Sequence, residues 1–235
     1  KKGMQQIRLY FDDFLNLFFP RLCAGCSASL FRGESLICTR CRYQLPRTGY
    51  HRWRNNPVEV LFWGRVPIIY GTAGFFFQKK GYFQHMVHAM KYRGMKELGK
   101  ELGKIMGIDM AGSVFSEVDL LVPVPLHPEK LLKRGYNQSE WIAFGLGEAL
   151  RKPVGKNILV RVIASETQTR KSRFDRWKNV ENIFRIMRPD AIQGKHILLV
   201  DDVITTGSTM ESCVTELLKQ EGVRVSVAAL AFSVL

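Results

Sequence analysis

No stretch of this chain of 235 residues approaches the ~20 apolar residues that a membrane-spanning helix needs, so no span is expected. Internal repeats and low-complexity segments are also missing, which excludes a solenoid and a disordered tract. Acidic residues are in short supply: 21 Asp and Glu face 35 Lys and Arg, a net charge of +14. Such a surplus suits a polyanionic partner such as a nucleic acid; the other reading is a merely basic surface, with an anionic substrate explaining part of the excess. Cysteine is scarce, five in all, and four of the five fall within residues 23–41. What is present is 46% hydrophobic and 24% charged, a globular composition long enough for one sizeable core plus a small appendage.

The cysteines are paired in sequence. Cys23 and Cys26 form one CxxC, and Cys38 and Cys41 form another after eleven intervening residues. Each CxxC makes a tight knuckle that aims two thiolates at one point, so the two pairs match a tetrahedral zinc site. The competing reading is two disulfides in a secreted domain. The chain length, the expected absence of a secretory leader and the lone Cys213 favour zinc. With four thiolates no position is left for water, so the ion would be structural. Reduced thiols place the protein in the cytoplasm.

The C-terminal half carries a different signal. Residues 197–200 are apolar and suit a buried parallel strand. Asp201 and Asp202 follow at its carboxyl end, where open α/β sheets bind ligands. Next come Thr205, Thr206, Gly207, Ser208 and Thr209, then a helix with Met210, Cys213, Val214, Leu217 and Leu218 on one face. Ser208 is placed to cap that helix, with Glu211 completing a capping box. Unpaired amides and the helix dipole favour a phosphate there, and Gly207 lets the backbone approach it. The two carboxylates would accept hydrogen bonds from ribose hydroxyls. An ordinary βα turn with two solvated aspartates is the plainer alternative.

Around these signals the pattern is that of an α/β protein. Residues 5–19 read as an amphipathic helix, 20–46 as the cysteine module and 47–57 as a basic, aromatic linker containing Trp53. Strand material is expected near 66–70 and 74–78, then a helix with Met86, Val87 and Met90 ending in the basic Lys91 and Arg93. A second helix is expected over 95–106, a buried strand over 119–125, a helix capped by Asn137 with Glu140 at the capping-box position, and a last strand over 224–231. This alternation implies a mostly parallel sheet flanked by helices. The expected division is 1–57 for the N-terminal helix, zinc-ribbon module and linker, and 58–235 for the α/β domain.

The strand, Asp pair and Thr/Gly/Ser loop resemble the 5-phosphoribosyl 1-pyrophosphate (PRPP) loop of type I phosphoribosyltransferases. Together with the double CxxC, the string Val122-Pro-Val-Pro-Leu-His127, the string Lys133-Arg-Gly-Tyr-Asn-Gln138, Thr167-Gln168 and Arg176-Trp-Lys-Asn179, they resemble the ComF competence-protein family from Pro20 onward. Members of that family are implicated in DNA uptake during natural transformation.

The resemblance implies PRPP or a related phosphoribose as ligand, with Mg2+, and single-stranded DNA together with a DNA-translocating helicase or other competence protein as partners. It implies pyrophosphate binding by the 125–127 turn and a loop over 166–179 that closes on the site with Arg170, Lys171, Arg173 and Arg176. Asp201, Asp202, Arg170 and Arg173 would then be the catalytic set. Arg134, Asn137 and Gln138 would line the site, Asn137 also serving as a cap; His127 reads equally as an anion contact or a structural residue. Thr205 stands where hypoxanthine-type enzymes carry an acid that contacts the purine ring, which argues against that transfer, and no residue set reads as a nucleobase hood. A metabolic phosphoribosyltransferase of the pentosyl-transfer class is the alternative function, and a zinc-ribbon adaptor with a vestigial fold a third.

Overall fold

The computed structural model describes residues 19–78, 81–162 and 183–233, and the expected helix over 5–19 lies outside them except for its last residue. Its centre is a parallel sheet in the order β1-β6-β5-β2, built from β1 (Gly71–Phe76), β2 (Leu120–Pro123), β5 (His196–Ile204) and β6 (Arg224–Phe232). β5 and β6 are buried almost throughout, as expected for strands covered on both faces. A short antiparallel pair, β3 (Leu159–Arg161) with β4 (Phe184–Ile186), stands apart from the sheet.

Helices cover the sheet. They are α1 (Thr39–Tyr43), α2 (Pro57–Leu61), α3 (Tyr82–Tyr92), α4 (Lys96–Met110), α5 (Pro128–Arg134), α6 (Gln138–Leu150) and α7 (Ser208–Leu217). α4 and α6 pack with their backbones almost touching. A Cβ at Gly103 would overlap the Ile142 carbonyl, and one at Gly145 would overlap the Lys100 carbonyl. Glycine at these points lets the helices close, and Leu98, Leu102, Ile142 and Leu146 fill the seam on either side. Each fully buried aliphatic side chain contributes roughly 1.5–3 kcal/mol.

Two expectations shift on contact with the structure. Residues 66–70 are not a strand: Pro67 interrupts them, although the Ile69 amide still donates to the Val225 carbonyl at 2.8 Å. The strand of that region is β1, which begins at Gly71. The expected linker is folded against the sheet edge rather than loose. The Phe76 amide donates to Pro46 and the Thr48 amide to Gly74, at 2.7 and 3.0 Å. Tyr50 is buried against Phe76 and Phe232, and the buried Asn56 caps α2 while its amide group donates to three backbone carbonyls. Trp53 meets Tyr50 edge-on at 5.4 Å and remains half exposed.

The cysteine module shares its core with the sheet. Cys23, Ile37, Cys41 and Leu45 belong to one apolar cluster with Phe75, Phe83, Met86 and Leu230. α3 is the connecting element: Met86 packs against Gly25, and the His85 ring nitrogen Nδ1 lies 3.1 Å from the Gly25 carbonyl.

Candidate functional site

The four sulfurs of Cys23, Cys26, Cys38 and Cys41 all lie within 4.8 Å of one another, and none is in a disulfide. Amides point at the sulfurs as a knuckle requires. Gly25 and Cys38 donate to Cys23 Sγ at 3.4 and 3.3 Å, and Cys41 donates to Cys38 Sγ at 3.4 Å, where Cys38 caps α1. Burial alone would raise the Cys23 thiol, but the amides of Cys38, Cys26 and Gly25 outweigh it and hold it at about 7. Burial raises Cys41 instead, reinforced by the neighbouring cysteines. Four soft donors in a closed, partly desolvated shell fit a structural metal ion such as zinc, and thiols that resist ionisation when empty are ionised by a bound cation.

The second constellation sits at the carboxyl end of the sheet. Asp201 and Asp202 lie in the C-terminal half of β5, and a cavity of about 240 Å3 opens beside them. Its walls include the 125–127 turn after β2, Lys130 and Arg134 from α5, Gln138 and Ser139 from α6, Lys91 from α3, Arg161 from β3 and Thr209 from α7. Three separate crossovers thus deliver their ends to one place, the geometry expected where parallel strands end.

The carboxylates are not the exposed pair expected of a strand end. Asp202 is buried, with Gln138 Nε2 donating to its Oδ2 at 2.8 Å and Lys91 Nζ 2.9 Å from the same oxygen. Asp201 is half-buried and accepts from Ser139 Oγ at 2.8 Å and from the Asp202 amide at 2.8 Å, both through Oδ1. Burial pushes Asp201 up to about 7, the charge on Asp202 adds to the rise, and the Asp202 amide, Ser139 and Lys91 oppose it. Burial and the Asp201 charge likewise keep the buried Cys213 thiol protonated.

The Thr/Gly/Ser loop has the expected place but a different cap. Gly207, at φ 74°, is the N-cap of α7, and Ser208 is the first helical residue with its hydroxyl 3.1 Å from Thr206 Oγ1. Only glycine suits this position easily, because the conformation is left-handed and a Cβ would also meet Leu61 and Phe62 at 3.0–3.2 Å. Glu211 makes no capping box; it pairs with Arg65, whose guanidinium also donates to the Thr206 carbonyl at 2.8 Å. Thr205, Thr206, Ser208 and Thr209 are exposed at the helix start.

Of the remaining expected residues, Arg134 and Gln138 line the cavity, with Arg134 bonded to Gln138 and its guanidinium over the Tyr92 ring. Asn137 is the N-cap of α6 and donates to the Val124 carbonyl at 2.9 Å; Glu140 pairs with Lys156 instead of completing a box. His127 lines the cavity and caps α5, its Nδ1 accepting from the Glu129 amide at 3.3 Å. Arg170, Lys171, Arg173 and Arg176 lie outside the described residues. Sequence reading missed Lys91, Ser139, Lys130 and Arg65. Lys91 reads from the sequence only as a basic helix end, and none of the four stands in a local motif that marks it.

This arrangement is that of a type I phosphoribosyltransferase-like fold with a four-cysteine cluster at its N-terminal side. The phosphoribosyl transferase domain family matches residues 162–233. DNA utilization protein YhgH of Escherichia coli strain K12 is 27% identical over 214 residues, covering 88% of each chain. Competence protein F of Haemophilus influenzae is 24% identical over 223 residues, covering 88% of this chain and 94% of its own. Competence protein ComFC of Bacillus subtilis is 34% identical over 110 residues, covering 47% of this chain and 42% of its own. The chain is thus similar to proteins named for DNA utilization and for competence, in the direction its motifs lead one to expect.

Proposed function

We propose that this protein binds PRPP and acts in the uptake and processing of DNA during natural transformation. The observation that carries the ligand reading is the meeting, in one cavity, of the Asp201–Asp202 pair, the start of α7 and the 125–127 turn, with Lys91, Lys130, Arg134 and Arg161 around them. A phosphoribosyl diphosphate has parts to match: a 5-phosphate for the amides and hydroxyls of 205–209, ribose hydroxyls for the carboxylates, and a diphosphate for the cations and the turn. Mg2+ would enter with the ligand, neutralising diphosphate charge, and the four cysteines would hold a structural zinc. Arg170 and Arg173, from the segment that leaves β3, would complete the diphosphate side during any transfer.

Calorimetry with PRPP and Mg2+ tests this reading. Asp201→Asn with Asp202→Asn should weaken binding tenfold or more, since each charge-assisted hydrogen bond is worth ~1.5–3 kcal/mol. No binding by the unaltered protein, or equal binding by the double variant, would refute it. Pyrophosphate release with an added base would move the assignment to a metabolic transferase.

For DNA, the supporting features are the exposed Phe31, Tyr43 and Trp53 interleaved with Arg32, Arg40 and Arg52 on the N-terminal side. Such a surface suits a single strand, with bases stacking on rings and phosphates meeting guanidinium groups. Residues 1–57 would be the unit that carries the metal and the DNA contacts, and 58–235 the phosphoribose-binding unit. Anisotropy of a labelled oligonucleotide should show affinity falling with salt at a log–log slope of about −0.7 per phosphate neutralised. Absence of binding at low salt would remove DNA from the assignment.

A further inference from the structure

One carboxylate oxygen of Asp202, Oδ2, is already taken in the free protein. Lys91 Nζ lies 2.9 Å from Oδ2 and Gln138 Nε2 donates to the same atom at 2.8 Å. Both are largely shielded, the Lys91 side chain being 22% exposed and that of Asp202 9%. A ribose hydroxyl is neutral and cannot displace an ammonium group from a shielded carboxylate, because the lysine would be left without a counter-charge in the same pocket. A ligand that brings its own anion next to Lys91 changes the balance. Lys91 can then leave Asp202 for a diphosphate oxygen, and the carboxylate is freed for the sugar. The rest of the wall permits this exchange: Lys91 is in the last turn of α3, whose Met90 carbonyl is held by the Tyr136 hydroxyl while Tyr92 lies under Arg134, so the backbone is anchored and only the lysine side chain has to swing.

We propose that Lys91 is a specificity-determining cation that exchanges Asp202 for the diphosphate of the incoming ligand, so that the site selects a phosphoribosyl diphosphate over ribose 5-phosphate. The inference rests on the phosphoribose reading of the site and adds to it a reason for the choice between two ligands that share sugar and 5-phosphate. Lys91 works as a gate on the sugar-binding carboxylate and as a partner of the diphosphate, and the two roles cannot be filled at once.

The experiment is calorimetry of the full chain with Mg2+, using PRPP and ribose 5-phosphate as separate probes, for the unaltered protein and for Lys91→Met. The unaltered protein should prefer PRPP. Lys91→Met should lose tenfold or more in PRPP affinity while ribose 5-phosphate binding stays level or improves, so the preference narrows from both ends. Equal losses for the two ligands would show a merely structural lysine and overturn the proposal, as would an unchanged PRPP affinity. Removing Lys91 leaves Asp202 buried without a cation, so Lys91→Met with Asp202→Asn is measured alongside; its neutral pair removes the reason to unfold, and it should show the same narrowed preference. A preference retained in the double variant overturns the proposal too. If the unaltered protein binds neither probe, the phosphoribose reading itself fails, an outcome separate from any result with the variants.

Discussion

The cysteine cluster and the aspartate cavity answer the same problem, gathering charge at one point, in opposite ways. The cluster brings four sulfurs together from 19 residues of chain, with only weak amide contacts to satisfy them. The cavity collects groups from residue 91 to residue 209, and its acids are partnered before any ligand arrives. A site whose donors have only weak internal partners should depend on a bound ion to fold; one whose charges are already paired should fold empty and exchange partners to bind.

The largest effect should therefore come from the metal. Chelation, or Cys38→Ser, should disorder the 20–46 region and loosen the shared core around Met86 and Phe83. Loss of a structural metal costs several kcal/mol, and at about 2–4 °C per kcal/mol for a chain of this size a calorimetric scan should register a large fall in Tm. A metal-free chain that melts at the same temperature would break the contrast between the two sites.

Next in size is the glycine seam. Gly145→Ala places a methyl group into the Lys100 backbone, where neither helix has a flexible side chain to move aside. Overpacking of this kind costs about 1–3 kcal/mol, sometimes more, and urea unfolding should show it. Because α6 begins with Gln138 and Ser139, ligand affinity should drop as well, while metal content should not.

A smaller effect is the pH response of Asp201. Its folded value, about 7, lies above the ordinary 3.8. The protonated form is thus favoured by the folded state, so this residue's contribution to stability is fully present below about pH 4 and is lost as pH rises through about 7. A ligand that needs the carboxylate ionised should release a proton near neutrality and bind more tightly toward pH 8. Calorimetry in two buffers of different ionisation heat would detect the release, and a binding heat independent of buffer would count against it. Smallest is Glu211→Gln, which removes one side of a partly exposed ion pair with Arg65. The stability change should stay below about 1 kcal/mol in a urea titration.

How far the sequence could be read follows the same contrast. The CxxC pairs, the apolar run of β5 and the face of α7 are local patterns, and each appears where its spacing puts it. Lys91 and Ser139 reach the aspartates only because the sheet order β1-β6-β5-β2 and the α4–α6 seam carry α3 and α6 to the end of β5. That placement depends on contacts distant in sequence, and no short window contains it. The cap of α7 failed for another reason. Ser208 and Gly207 are both good caps by type, and packing of the loop against Leu61 and Phe62, a region far away in the chain, decides for glycine.

The seam between α4 and α6 has one more consequence. Where two helices meet through leucines, a small displacement is absorbed by side chains changing rotamer, and the interface behaves as a soft spring. At Gly103 and Gly145 nothing lies between the backbones to yield, so a shift of a few tenths of an ångström meets a wall. The joint works as a hard stop. It sets the tolerance with which the first turn of α6 presents Gln138 and Ser139 to the aspartates, and thermal fluctuations at that end should be damped relative to the far ends of both helices.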